Sequence, residues 1–263
     1  MPQEHLTDLW AYADAPNASP LSAKGRAAAL ALLVAQGHYT EAYTSIRADK
    51  TLTDAEKRTV QKEISQKILF ARDLEWTGHG VVKTFRFWQP EQKIKYMKMA
   101  NSLASALQDF TPYVAFGFGS VLSMIRDNDF IPHDDDLDLI IALDPSTFGD
   151  AKQRLQTFLE GRGFTCYGKN LSHFGVNTGT NETAVDVFIG FIEDDRVSWF
   201  PSRRGGLDFA VVFPVQHREF FGQMAPIPAD PERYLAVTYG PDWREPISNW
   251  NHPWDASEYH DFR

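Results

Sequence analysis

The stretch Phe116–Leu143, FGFGSVLSMIRDNDFIPHDDDLDLIIAL, decides how the rest of the chain is read. An apolar run, Tyr113–Phe118, ends in Gly119-Ser120, and a short amphipathic segment, Val121–Arg126, follows. A turn, Asp127–His133, leads into Asp134, Asp135, Asp136 and Asp138, which run straight into Leu139–Leu143, a buried-strand composition. Carboxylates crowded at the mouth of an apolar strand repel one another and raise each other's pKa, a cost that a divalent cation relieves. Residues i and i+2 of a strand share a face, so Asp136 and Asp138 point the same way while Leu137 and Leu139 face the core. Two convergent carboxylates that leave most of the coordination sphere to water and phosphate oxygens describe a Mg²⁺ (or Mn²⁺) site. A DDD run by itself reads as a solvated turn or helix cap. The order of parts favours the metal: strand, Gly-Ser, short helix, turn, then two aspartates in alternation on a second strand.

That order resembles the nucleotidyltransferase fold signature, a Gly-Ser turn followed by a pair of alternating aspartates. More closely, it resembles the LicD/fukutin family, whose core reads roughly G-x-L-L-G-x-x-R-x-x-x-F-I-P-W-D-D-D-I-D-L. Gly119, Leu122, Arg126, Phe130, Ile131, Pro132, Asp134, Asp135, Asp136, Asp138 and Leu139 fit that pattern. His133 stands where the family usually has Trp, and Ser123 where a second Gly is common. The segment from Ile227 through Tyr234-Leu235 and Tyr239-Gly240 to Trp243 resembles the family's closing signature, so the resemblance runs from about Glu91 to Pro246.

The chain has 263 residues, 43% hydrophobic and 23% charged, as befits one large domain or one domain with an appendage. A net charge of −9 argues against nucleic-acid binding, which needs a basic face, and against docking on an anionic membrane. The single cysteine, Cys166, rules out an internal disulfide and any Cys-rich zinc site. The N-terminal MPQEHLTDLWAYADA has neither a basic nor an apolar signal-peptide region, and no apolar run is long enough to span a bilayer. These features predict a cytoplasmic protein with no transmembrane segment.

Residues before about Phe85 read as helical, with Ser19-Pro20 as a start and Gly37 as a stop. A second helix is expected over Thr40–Ala48, and Thr53 with Glu56 forms a capping box that opens a third. Ala31…Gly37-His38-Tyr39…Ala42 resembles one hairpin of a tetratricopeptide repeat, but no second copy follows. These helices are an appendage packed on the core or a docking module for a protein partner. Pro90 opens a helix over Glu91–Gln108, and another is predicted over Thr147–Gly161. Strands are predicted at Phe164–Tyr167, Leu171–Asn177, Ala184–Ile189, Val197–Phe200 and Phe209–Val215. The predicted fold is α+β: a nucleotidyltransferase-like mixed sheet flanked by helices, with an N-terminal helical appendage. Its divisions are a helical region over 1–88, a catalytic domain over 89–247 and a tail over 248–263.

Ala184–Ile189 carries one carboxylate, Asp186, in an apolar strand, where a buried charge must find a partner. The partner that fits is the metal held by Asp136 and Asp138, which makes Asp186 the third carboxylate of a catalytic triad. Gly119 and Ser120 are expected to offer donors to substrate phosphate, Arg126 to clamp it, and His133 and His173 to stand as candidate substrate contacts. The family resemblance implies a CDP-alcohol donor, of the choline, ribitol or glycerol type, whose alcohol-phosphate moves to a glycan hydroxyl with release of CMP. Two other readings stand beside it. One is NTP-dependent nucleotidyl transfer to a small hydroxylated molecule, with pyrophosphate as product. The other is a non-catalytic scaffold built on the N-terminal helices.

Overall fold

Backbone contacts divide the chain into two units, Met1–Phe87 with Pro132–Asp134, and Trp88–Ile131 with Asp135–Arg263. The structure, a computed structural model, describes residues 23–168, 173–177, 183–200, 202–246 and 257–259. Ser19-Pro20, the turn at Gly179-Thr180-Asn181 and the tail residues Trp250, His252 and Trp254 lie outside them.

In the first unit, α1 (Ala23–Ala35), α2 (Tyr39–Ala48) and α3 (Asp54–Ile64) gather Leu30, Val34, Ala42, Ile46, Ile64 and Leu69 into one core. Gly37 takes φ +87 after α1, the left-handed geometry that glycine supplies at a helix end. Arg72 donates to the Val34 and Ala35 carbonyls at 3.0 and 2.7 Å, satisfying the C-terminus of α1. The capping box opening α3 is present: Glu56 N donates to Thr53 Oγ1, and Thr53 N to Glu56 Oε2. Gly78-His79 turns a two-stranded hairpin, β1 (Glu75–Thr77) and β2 (Gly80–Val82), inside the stretch before Phe85 expected to be helical. The Phe85 and Arg86 amides donate to the Asp134 and Pro132 carbonyls, each at 2.8 Å, which places Pro132–Asp134 in this unit.

The second unit opens with α4 (Pro90–Gln108), begun by Pro90 at its first position and by a capping box between Gln89 and Gln92. Tyr96, Met97, Ala100, Leu103, Ala104 and Leu107 form its buried stripe. The sheet runs β3 (Val114–Phe116), β4 (Leu137–Leu143), β7 (Val185–Glu193), β6 (His173–Asn177), β5 (Thr165–Tyr167); β8 (Arg196–Trp199) pairs with the far half of β7, and β9 (Leu207–Asp208) with β8. Among the described residues only β4 and β7 pair in parallel; the other pairs in this sheet are antiparallel. These two central strands, LDLIIAL and VDVFIGFIE, are near-continuously apolar, as strands covered on both faces must be. A side chain at Gly190 on β7 would lie 2.1 Å from the Ser198 carbonyl, so glycine is required there.

Between β3 and β4 come α5 (Phe118–Leu122) and a π turn over Ser123–Asp127. The helix α6 (Phe148–Glu160) links β4 to β5 and packs on β5 and β7. The run Phe209–Val215, predicted as a strand, instead forms a short helix, α7 (Phe209–Val212). A short apolar run has no period that tells strand from helix, and Asp208 N-caps this one in extended geometry. A hairpin not anticipated from sequence, β10 (Gln216–Phe220) and β11 (Gln223–Ile227), turns on Phe221 and Gly222 at φ +48 and +72. The closing helix α8 (Pro231–Tyr239) is capped by Asp230, which accepts from Arg233 N at 3.0 Å, and packs on α5.

Candidate active site

The central strand pair brings one carboxylate from each strand to the same level of the sheet. Asp138 on β4 and Asp186 on β7 are Cα partners in the parallel ladder. Strand neighbours lie about 4.8 Å apart and directly paired side chains leave the same face, so the two carboxylates emerge side by side. Asp136 lies two residues before Asp138, just ahead of β4, and all three aspartates are half-buried. Among the described residues, their carboxylate oxygens do not all fall within 4.8 Å of one another.

Three tyrosines frame this pair, and none was assigned to the site from the sequence, although Tyr234 belongs to the closing signature. Tyr96, buried in α4, donates its hydroxyl to the Ala184 carbonyl and accepts from the Leu137 amide at 3.0 Å. One phenol oxygen thus fastens the beginnings of both carboxylate strands. Burial raises its pKa well above the ordinary phenol value, and the charges of Asp136, Asp138 and Asp186 add to the rise. Tyr234, buried in α8, accepts from the Phe118 amide at 2.9 Å. Its pKa is also raised, by burial first, with the Asp138 charge adding to it. Tyr167, at the end of β5, is 46% exposed. Its pKa is raised by burial of part of the ring and by Asp186 and Asp136. No local pattern marks Tyr96 or Tyr167, and each of the three comes from a distant segment that only the fold brings to the aspartates.

The Gly-Ser turn holds Asp138 by its backbone. Asp138 N donates to Ser120 Oγ at 2.7 Å, and Gly117 N donates to the Asp138 carbonyl at 3.0 Å. A Cβ at Gly117 would lie 2.5 Å from Ile140 Cγ2, so only glycine lets the turn approach β4 this closely. Phe118, next in the turn, takes φ +41, which costs a non-glycine residue about 1–3 kcal/mol. Tyr234 holds the amide of this strained residue.

The other residues expected at the site are placed as follows. Gly119 is half-exposed between the buried Phe118 and Ser120. Arg126 makes a two-point ion pair with the neighbouring Asp127, both contacts at 2.8 Å. His133 lies in the segment grouped with the first unit. His173 stacks on Phe188 with centroids 4.7 Å apart, two residues along the ladder from the level of Asp186. In Ser202-Arg203-Arg204-Gly205-Gly206, whose two arginines beside two glycines suit phosphate contact and a solvated hairpin tip equally, Arg204 bonds Glu193 at 2.5 Å and the Glu258 carbonyl at 3.0 Å.

A comparison with protein families matches residues 114–230, the span from β3 to the cap of α8, to "LicD/FKTN/FKRP, nucleotidyltransferase domain". The match covers less than half of the chain and supports a transferase. No curated protein matches the chain. Among solved structures, ANT(2″)-Ia in complex with adenylyl-2″-tobramycin is similar at 13% identity, covering 58% of this chain and 81% of that one, with a TM-score of 0.36. A solution structure of the antibiotic-resistance factor ANT(2″)-Ia is similar at 13% identity over 62% of this chain and 78% of that one, with a TM-score of 0.40. Among the described residues no helix is long and apolar enough to cross a membrane.

Carboxylate oxygens are the donor chemistry that a hard divalent cation selects. Asp136, Asp138 and Asp186 offer them half-buried, Asp138 and Asp186 on adjacent strands, and their joint negative field reaches the Tyr96 phenol. Carboxylates on separate strands, with room for water or phosphate oxygens, suit Mg²⁺, which keeps part of its coordination shell.

Proposed function

We propose that this protein moves an alcohol-phosphate, of the choline-, ribitol- or glycerol-phosphate type, from a CDP-alcohol to a hydroxyl of a cell-surface glycan. The observation that carries the reading is the register pairing of Asp138 with Asp186 in a domain matched to the LicD family. Asp136, Asp138 and Asp186 would hold Mg²⁺ or Mn²⁺. When bound, the cation supplies neutralisation of the donor diphosphate and of the charge on the departing nucleotide.

The remaining work falls to the chain. The turn Gly117–Ser120 presents backbone at half-exposed Gly119 to the donor phosphates. The acceptor hydroxyl oxygen attacks the phosphorus that bears the alcohol. The bond from that phosphorus to the bridging oxygen breaks, and CMP leaves with the electron pair. Asp186 is the carboxylate placed to take the hydroxyl proton. Ser120 and Gly117 fix the Asp138 backbone, and Tyr96 fixes the spacing of the two strands, so the carboxylates are positioned before substrate arrives.

The test is to incubate the purified protein with CDP-choline, CDP-ribitol, CDP-glycerol and the four NTPs in the presence of Mg²⁺. Release of CMP from a CDP-alcohol supports the reading. Release of pyrophosphate from an NTP, with no CMP from any CDP-alcohol, replaces it with nucleotidyl transfer.

A further inference from the structure

The level of the sheet that carries the two aspartates continues outward in a single register. Asp138 pairs with Asp186, Asp186 with Gly175 on β6, and Gly175 with Tyr167 on β5. Directly paired residues share a face, so this row runs from the carboxylates to a tyrosine at the far side of β7 from the Gly-Ser turn. The middle member has no side chain. A Cβ at Gly175 would lie 2.7 Å from Tyr167 Cε2 and 3.0 Å from Cζ. The ring therefore lies down across the glycine toward Asp186 instead of standing off the sheet, with the residue still 46% exposed. An exposed aromatic side chain on the surface of an ordinary strand needs no glycine beneath it. Here the glycine lowers an aromatic face to the height of the carboxylates.

We propose that the Tyr167 ring on Gly175 is the shelf on which the acceptor stacks, and that the acceptor portion bound there is a neutral pyranose ring. The proposal rests on the phosphotransfer reading above and names the substrate class of its acceptor side. An aromatic face with a phenol at its edge suits a sugar, whose C–H face packs on the ring while its hydroxyls reach polar atoms. Three carboxylates outweigh one divalent cation and the donor diphosphate adds negative charge, so the site disfavours an anionic acceptor. The donor phosphates belong on the opposite side of the aspartates, at the Gly117–Ser120 turn, which leaves the β6–β5 side for the acceptor. A sugar hydroxyl seated there faces Asp186, the carboxylate assigned to its proton.

The test reads binding and turnover separately. Methyl glycosides of glucose, galactose and N-acetylgalactosamine, and CMP, are examined by saturation-transfer NMR against wild type, Tyr167→Ala and Gly175→Ala. CMP release from CDP-glycerol is measured with water and then with the binding glycoside as acceptor. At least one glycoside should receive saturation from wild type, and Tyr167→Ala should abolish that signal while leaving the CMP signal intact. Transfer should show an acceptor KM raised about tenfold, with kcat changed less than KM. Gly175→Ala, whose methyl group displaces the ring, should move in the same direction. Glycoside binding that survives Tyr167→Ala, loss of CMP binding in its place, or no glycoside binding to wild type would overturn the shelf. Tyr167-dependent glycoside binding without CMP release from any CDP-alcohol would support the shelf and sink the donor reading instead.

Discussion

The phenol oxygen of Tyr96 lies 3.0 Å from the Leu137 amide, at the beginning of the strand that carries Asp138. The same hydroxyl donates to Ala184, at the beginning of the strand that carries Asp186. A hydroxyl both donates and accepts, so one buried group ties together the beginnings of two strands that also pair through their ladder.

Tyr96→Phe keeps the ring and its edge contacts with Trp88 and Phe130 but removes both bonds. The expected loss of stability is about 1–3 kcal/mol, because a buried amide and carbonyl are left unsatisfied. If the phenol spaces the carboxylates, the Mg²⁺ concentration for half-maximal turnover also rises, by about tenfold or more. Urea unfolding and a Mg²⁺ titration of activity check the two effects. Lost stability with an unchanged Mg²⁺ midpoint would make Tyr96 a structural residue only.

Ser120→Ala removes the acceptor of the Asp138 amide at a site only 1% exposed. Stability should fall by about 1–3 kcal/mol, and kcat should fall more than the donor KM rises, since the hydroxyl works through the Asp138 backbone. A variant of unchanged stability with a raised donor KM would instead place the hydroxyl on substrate phosphate.

The aspartate pair was legible in the sequence because a charge in an apolar strand stands out locally, and two such strands, LDLIIAL and VDVFIG, each carry one. Their adjacency followed from the need of each charge for a partner. The helices bounded by strong caps were legible too: the Thr53–Glu56 box and the Pro90 start appear where the pattern puts them. What remained hidden depends on strand order. Tyr167 faces Asp186 only because β6 lies between β5 and β7 with a glycine at the crossing, and nothing near Tyr167 encodes that neighbour. Gly175 did carry a signal, since glycine inside a strand marks close approach of another group, here the ring of Tyr167. Phe209–Val212 was misread because a short buried run has no period to distinguish helix from strand.

In the helical unit, Arg26 and Asp49 form a buried ion pair at 3.0 Å, with side chains 3% and 0% exposed. Burial alone would raise the Asp49 pKa, but hydrogen bonds from Thr51 and Leu52 and the Arg26 charge outweigh it and hold the value below the ordinary one. A depressed carboxylate contributes stability that is fully present above its unfolded pKa and is lost as pH falls through the folded value. The Asp49 contribution should therefore be constant near neutrality and decline only below about pH 4. Asp49→Asn strands Arg26 and should cost about 3–5 kcal/mol at pH 7. Thermal melts of both proteins from pH 7 to pH 3 check this, with the gap between them narrowing only at the acid end.

The central claim is that Asp138 and Asp186 act together as charge-bearing ligands for transfer. The most direct measurement is CMP release from the best CDP-alcohol by wild type, Asp138→Asn and Asp186→Asn, with melting temperatures recorded for each. A cation's charge stabilisation is worth several kcal/mol, so each variant should lose about a thousandfold or more in turnover. Its melting temperature should hold or rise, because like-charge repulsion is relieved. Turnover near wild type in either folded variant would contradict the claim.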